Sequence, residues 1–208
     1  MLKIFTYEEP LKHLITASLM SVAYPNHDYT RTRISCLYVP YSPDKSSYIK
    51  SYIKQHELYN FVVFNNATDE FKIRIPDWLS TYVSNWFVGK EKIFKRNFIK
   101  DNDYQAIMIF INLFGHRQIE GIAIPTSVSP RYLFTLLFSV SHNLKIKTMI
   151  SNKQIKILDR KELFLNTLSR ATTLDSSHIA NFLLKKEKQI IQESLDKLAK
   201  RQRSGIYA

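Results

Sequence analysis

Cysteine and glycine are nearly missing from this chain: one cysteine, Cys36, and four glycines stand among 208 residues. A lone thiol excludes an internal disulfide and a cysteine-held zinc cluster. The six histidines lack metal-ligand spacing, so His56 and His142 read as helix-end residues and not as ligands. Long apolar runs are missing too. Stretches such as 106–114 fall far short of the roughly 20 residues that cross a bilayer. Met1 to Leu14 holds Glu8 and Glu9 and no arginine, unlike an Arg-rich, acid-poor transit sequence. Without a secretory signal the Asn66-Ala67-Thr68 sequon carries no meaning. Acid is the scarce charge: 18 residues against 30 Lys plus Arg, for a net charge of +12 and a pI near 9.7.

That imbalance suits a polyanion, because each phosphate neutralised releases counterions. Hydrophobic residues, at 45%, suffice for a buried core at this length. A membrane surface fits less well, since no helix pairs a wide apolar face with a basic one.

What is present is a repeat. Ile73-Arg74-Ile75-Pro76-Asp77 recurs as Ile155-Lys156-Ile157-Leu158-Asp159. Val39-Pro40, Ser42-Pro43, His56 and Leu58 recur as Ile124-Pro125, Ser129-Pro130, His142 and Leu144. The expected elements are a helix from Pro10 to Tyr24 and a strand over Arg31–Val39. A helix follows from Ser42-Pro43 to His56, then a hairpin over 60–64 and 70–75, then a helix capped by Asp77. After a basic bridge, 89–100, the order restarts: a helix over 102–114, a strand within 118–124, a helix from Ser129-Pro130 to His142. A hairpin over 145–150 and 154–158 and a helix capped by Asp159 complete it. One last helix, from Ser176-Ser177 to about Gln202, lies outside the repeat and reads as an assembly arm. A unit of roughly 80 residues is too long for a solenoid. The predicted fold class is α+β: two pseudo-twofold halves, 1–100 and 101–172, with a basic C-terminal helical extension, 173–208. The first helix of each half is apolar on nearly every side, as in Leu14, Ile15, Ala17, Leu19 and 106–111, and belongs at the centre.

The span from Pro10 to Ala171 resembles the LAGLIDADG homing endonuclease and maturase family in its single-chain, two-motif form. Residues 14–22 resemble the family's Leu-Ile-Gly-Leu-Leu-Leu-Gly-Asp-Gly helix, and residues 106–114 its Leu-Ala-Ile-Trp-Tyr-Met-Asp-Asp-Gly. Trp86-Phe87-Val88-Gly89-Lys90-Glu91-Lys92 resembles its aromatic-Gly-Lys segment. The resemblance implies a β-saddle on nucleic acid, and phosphodiester hydrolysis by divalent metals bound to one carboxylate at each helix end. In this chain Ser21 and Leu113 occupy the acid positions. Shifting the second alignment by one place offers Asn112 or Phe114, again no acid. Thr16, Met20, Val22 and Phe114 stand where the family has glycines. The expectation is a degenerate member: not an enzyme, with no metal, cofactor or small-molecule substrate.

On the strands, alternation turns Ile73, Ile75, Ile155 and Ile157 inward and Lys72, Arg74, Gln154 and Lys156 outward. Lys145 and Lys147 alternate about Ile146, and Arg31 and Arg33 about Thr32. With Lys92, Lys95 and Arg96 of the bridge, Arg117, and Lys200, Arg201 and Arg203 of the tail, these form the expected RNA-binding set. Lysine outnumbers arginine among the strand positions, which favours backbone contact over base reading. RNA is expected over DNA because a DNA cutter without its acids has no reason to persist as one. The leading expectation is a structural protein of an organellar ribosome, contacting rRNA and neighbouring proteins. A maturase that clamps one group I intron is the second reading. The third is a DNA-binding regulator with a degenerate nuclease domain, which would expect an appended helix-turn-helix where Ser176 to Gln202 reads as one helix. A wealth of Lys, Ile, Asn, Phe and Tyr points to an organelle-encoded gene and the mitochondrial matrix.

Overall fold

The computed structural model describes residues 7–26, 33–65, 67–99, 104–168 and 170–203, leaving aside the side chains at 97, 99, 195 and 197–203. Two helices fix the position of everything else. In α4 (Tyr104–Phe114) every residue from Ala106 to Phe114 is buried; in α1 (Glu8–Met20) so are Leu11 and every residue from Leu14 to Met20. Helices apolar all round must be surrounded, and these two pack on each other. Thr16 and Ser18 enter the buried face of α1 because their hydroxyls donate back to the carbonyls of Lys12 and Leu14, each at 2.8 Å.

Each helix feeds an antiparallel sheet. The first has the order β1 (Tyr24–Pro25), β2 (Cys36–Pro40), β4 (Glu70–Arg74), β3 (Val62–Asn65). The second repeats it with β7 (His116–Gln118), β8 (Gly121–Pro125), β10 (Gln154–Ile157), β9 (Thr148–Ser151). Pro40 lies opposite Glu70, and Pro125 opposite Gln154. That register equates Phe71 with Ile155 and Ile73 with Ile157. The sequence match of Ile73 to Ile155 is therefore two residues out. Strand side chains have a period of two, so a slip of two keeps every residue on its face and hides in the letters.

Behind the sheets lie α2 (Ser46–Gln55) and α5 (Leu133–Leu144). Pro43 and Pro130 open 3-10 turns that lead into them, and neither Ser42 nor Ser129 makes the capping bond expected of it. Helices α3 (Asp77–Ser84) and α6 (Arg160–Leu168) close the halves. Asp159 does cap, its Oδ1 accepting from Glu162 N at 2.9 Å. Asp77 does not, and pairs with Arg33 at 2.7 Å instead.

The expected strand over Arg31–Val39 is shorter, and Arg33 sits on a bend before β2. The edge strands β1 and β7 were not anticipated. Lys145 and Lys147 precede β9 and are not part of it, because Lys145 ends α5 in a left-handed conformation, φ 55°. The bridge forms a small hairpin, β5 (Phe87–Val88) with β6 (Glu91–Lys92), then a 3-10 turn, Arg96–Ile99. It is anchored by Phe98 stacking on Trp86 at 4.9 Å.

The expected single terminal helix is two. Helix α7 (Thr173–Ile179) is capped by Thr172, not by Ser176-Ser177, and runs through a 3-10 turn at Ala180–Phe182. The chain then extends at Leu183 before α8 (Lys185–Arg203). Burial of Ile179, Phe182 and Leu183 breaks the helix: these residues follow the core instead of continuing the axis. Helix α7 packs on α2, α4 and α6, and α8 starts against the body, with Glu187 paired to Arg160 at 3.2 Å and Ile191 buried.

Candidate nucleic-acid interface

The register sets the outward side chains of the two sheets in matching rows. Across the first sheet the middle row reads Tyr24, Tyr38, Lys72, Val63; across the second it reads His116, Ala123, Lys156, Met149. Lys72 and Lys156 are thus equivalent, one at the centre of each sheet. The rings of Tyr24 and Tyr38 stack at 5.6 Å and 16°, and the Lys72 ammonium lies 5.7 Å from the Tyr38 centroid. Tyr24 donates to Glu70 at 2.5 Å; that bond, with burial, pushes its phenol up to about 12. In the next row Arg74 is exposed on β4, where β10 is followed by Leu158. Leu158 N donates to Lys147 O at 3.3 Å, so Lys147 extends the ladder and shares the outward face with Lys156. The structure therefore sets Lys72 and Arg74 on the outward face of the first sheet and Lys156 and Lys147 on that of the second.

The other expected binding residues scatter. Lys145, Lys95 and Arg96 are exposed, beside α5 and in the bridge. Arg33 is held by Asp77. Arg117 is exposed, lies opposite the inward residue Ile122 on the helix side of its sheet, and lines a cleft there with Leu184. Lys92 departs from the expected set. It is 5% exposed, and its Nζ donates to Ser21 O at 2.9 Å and Ala23 O at 2.6 Å. Burial pushes its pKa down to about 7. It faces a helix end, not a ligand. Arg31 and the side chains of Lys200, Arg201 and Arg203 lie outside the described residues.

The ends of α1 and α4 are closed. Ser21 and Gly115 follow the two helices and repeat the same bond, each N–H donating to the carbonyl four residues back, Ala17 at 3.2 Å and Ile111 at 2.8 Å. The second helix end is therefore Gly115, two residues beyond the expected Leu113. A Cβ on Gly115 would come within 2.4 Å of Ile111 O and 3.0 Å of Ile122 Cγ2. No side chain fits there without displacing backbone. At the first end the Ser21 hydroxyl donates to Pro125 O at 3.1 Å. Its carbonyl accepts from Lys92 and, at 2.9 Å, from Ser127 Oγ, while Thr126 Oγ1 donates to Met20 O at 2.5 Å. A cleft of about 180 Å³ between Pro40 and Pro125 is lined by Leu113, Phe114 and His116. Divalent cations take anionic oxygen ligands; among the described residues the lysine at one helix end and the glycine at the other supply none.

A polar joint lies on the far side of α4. Asp175, from α7, is fully buried. Its carboxylate accepts from Tyr48 at 2.7 Å, Gln105 at 2.6 Å, Asn112 at 3.2 Å and Thr172 at 2.7 Å. Burial first, and this carboxylate second, push the Tyr48 phenol well above its ordinary value. Asn112, an alternative acid position in the sequence, thus faces α7 and not the helix end. Sequence reasoning missed Asp175, although Thr172-Thr173-Leu174-Asp175 has capping-box spacing. It also missed Tyr24 and Tyr38, whose partnership depends on an edge strand of two residues.

No protein-family model matches the sequence, and no curated protein does. Among solved structures the chain is similar to the homing endonuclease I-WcaI bound to its DNA recognition sequence. The TM-score is 0.58 at 10% identity, over 88% of this chain and 86% of that one. At that identity the likeness speaks to the fold alone. The fold is homing-endonuclease-like, as the duplicated α+β order predicted.

Proposed function

We propose that this chain is a catalytically inactive RNA-binding protein built on a homing-endonuclease fold, serving as a structural component of a mitochondrial ribosome. The closure of both helix ends carries this reading. A hydrolytic site needs room and anionic ligands at the junction of α1 and α4, whereas Lys92, Thr126 and Ser127 bond the end of α1 and Gly115 admits no side chain. Binding is supported by what remains: a net charge of +12 and a basic residue at equivalent positions of both sheets.

Two measurements test it. Purified protein incubated with duplex DNA and Mg²⁺ or Mn²⁺ gives no products above background; metal-dependent cutting abolished by Ser21→Ala would overturn inactivity. Native protein recovered under mild conditions brings down a ribosomal subunit with its rRNA. Recovery of one intron would instead make it a splicing cofactor, and recovery of duplex DNA a regulator.

A further inference from the structure

In the N-terminal half, α2 and the edge strand β3 leave an open groove of about 430 Å³ between them. Its floor and strand wall are Ile53, Val62 and Phe64, and Tyr59, 61% exposed, stands at one end. Lys50 and Lys54 rise from the helix wall, and no carboxylate lines the groove among the described residues.

The strand wall has free backbone groups, and the ladder says which. Arg74 N donates to Phe61 O at 2.7 Å, and the register continues with Val63 opposite Lys72 and Asn65 opposite Glu70. In an antiparallel ladder these alternate residues exchange both bonds with their partners. Val62 and Phe64 therefore direct their N–H and C=O groups away from β4, along the outer edge. No described strand pairs with that edge. Exposed edges are usually blunted by charge, proline or a bulge; Val62-Val63-Phe64-Asn65 has none of these.

We infer that this groove receives an extended acidic segment of a partner protein, which joins β3 as an additional strand. The free groups of Val62 and Phe64 fit an extended backbone. Residues opposite them turn the same way, into the groove, where apolar side chains meet Ile53 and flanking carboxylates meet Lys50 and Lys54. The lysine pair is not a requirement of the fold, since Leu137 and Ser141 occupy the matching places on α5.

The probe is a fluorescein-labelled peptide of about eight residues whose alternate positions read Glu, Val, Val, Glu with serine between. The expected result is saturable binding to the full chain, weakened about tenfold by Lys50→Glu with Lys54→Glu. N-methylation of both valines, which removes the N–H groups aimed at β3, abolishes it. Lys72→Glu with Arg74→Glu, on the opposite face, leaves peptide binding unchanged. Equal binding of a Lys, Val, Val, Lys peptide, or of the N-methylated one, overturns the inference as non-specific attraction to a basic protein. If Lys50→Glu with Lys54→Glu reduces RNA affinity and leaves the peptide unaffected, the groove belongs to nucleic acid. A mass that doubles with concentration and reverts in Val63→Lys assigns it to a second copy. Binding seen only after removal of residues 1–6 assigns it to the chain's own terminus. Circular dichroism melts of the exposed-lysine variants separate loss of binding from loss of fold.

Discussion

The two halves share a backbone plan and differ in almost every residue that meets solvent. Strand order, register and the bond that ends each central helix repeat, and one lysine stands at the centre of each sheet. Around that lysine the first sheet carries stacked tyrosines and Arg74; the second carries Met149 and Leu158, and its Ala123 is buried. On the flanks the chemistry is exchanged. The first half has lysines on its helix and Tyr59 and Phe61 before its edge strand, while the second has Phe134 and Phe138 on its helix and Lys145 and Lys147 before the strand. Phe134 is 76% exposed where α2 presents Ser47. Duplication kept what register and packing enforce and left the surfaces free to specialise.

The largest expected effect breaks the joint between the halves. Asp175→Ala strands Tyr48, Gln105 and Asn112 without their shared acceptor and should cost about 4 kcal/mol in urea unfolding. Next comes a contrast between equivalent positions. Gly121, at φ 145°, would bring a Cβ to 2.0 Å from Ile157 O, so Gly121→Ala should cost about 3 kcal/mol. Cys36→Ala, at the matching place in the first sheet, should cost about 1 kcal/mol. Equal losses would mean that the sheets are less alike than their registers.

A third comparison concerns binding. Lys72→Glu with Arg74→Glu, and separately Lys147→Glu with Lys156→Glu, should each flatten the salt dependence of RNA affinity by about 2 units of slope. Tyr38→Leu should weaken binding to single-stranded RNA by about 1 kcal/mol more, an effect without counterpart at Ala123. The last expected effect is a pH dependence and belongs to Lys92. Burial holds its folded pKa at about 7, below the ordinary lysine value of 10.5, so between those values the unfolded chain binds the extra proton. Raising pH through that window should stabilise the wild type relative to Lys92→Met by at most about 1.4 kcal/mol per unit. Parallel melting curves from pH 7 to 10 check it.

Local and periodic signals made much of this legible. The inward isoleucines, the central apolar helices, the Asp159 cap and the duplicated order all follow from spacing along the chain. A two-residue slip of the repeat does not, because alternation is blind to it. Nor was the fate of Lys92 readable: it shares its charge and neighbourhood with Lys90 and Lys95, and what sets it apart is that the carbonyls of Ser21 and Ala23, about 70 residues earlier in the chain, take its ammonium. The break between α7 and α8 lacks glycine and proline, so no local signal announced it. Gly115 and Gly121 were not read from the sequence, although each stands where an added Cβ would meet a backbone carbonyl, Ile111 O at 2.4 Å and Ile157 O at 2.0 Å.

The capping of α1 by Thr126 and Ser127 has a consequence for synthesis. A ribosome delivers the first half well before it delivers those two residues, so the emerging helix waits with the carbonyl of Met20 open to water and that of Ser21 met only by Lys92. The first sheet can pair on its own, but its central helix is finished only by chain made later. A nascent chain arrested before Thr126 should remain protease-sensitive around Ser21, however much of its own sheet has formed.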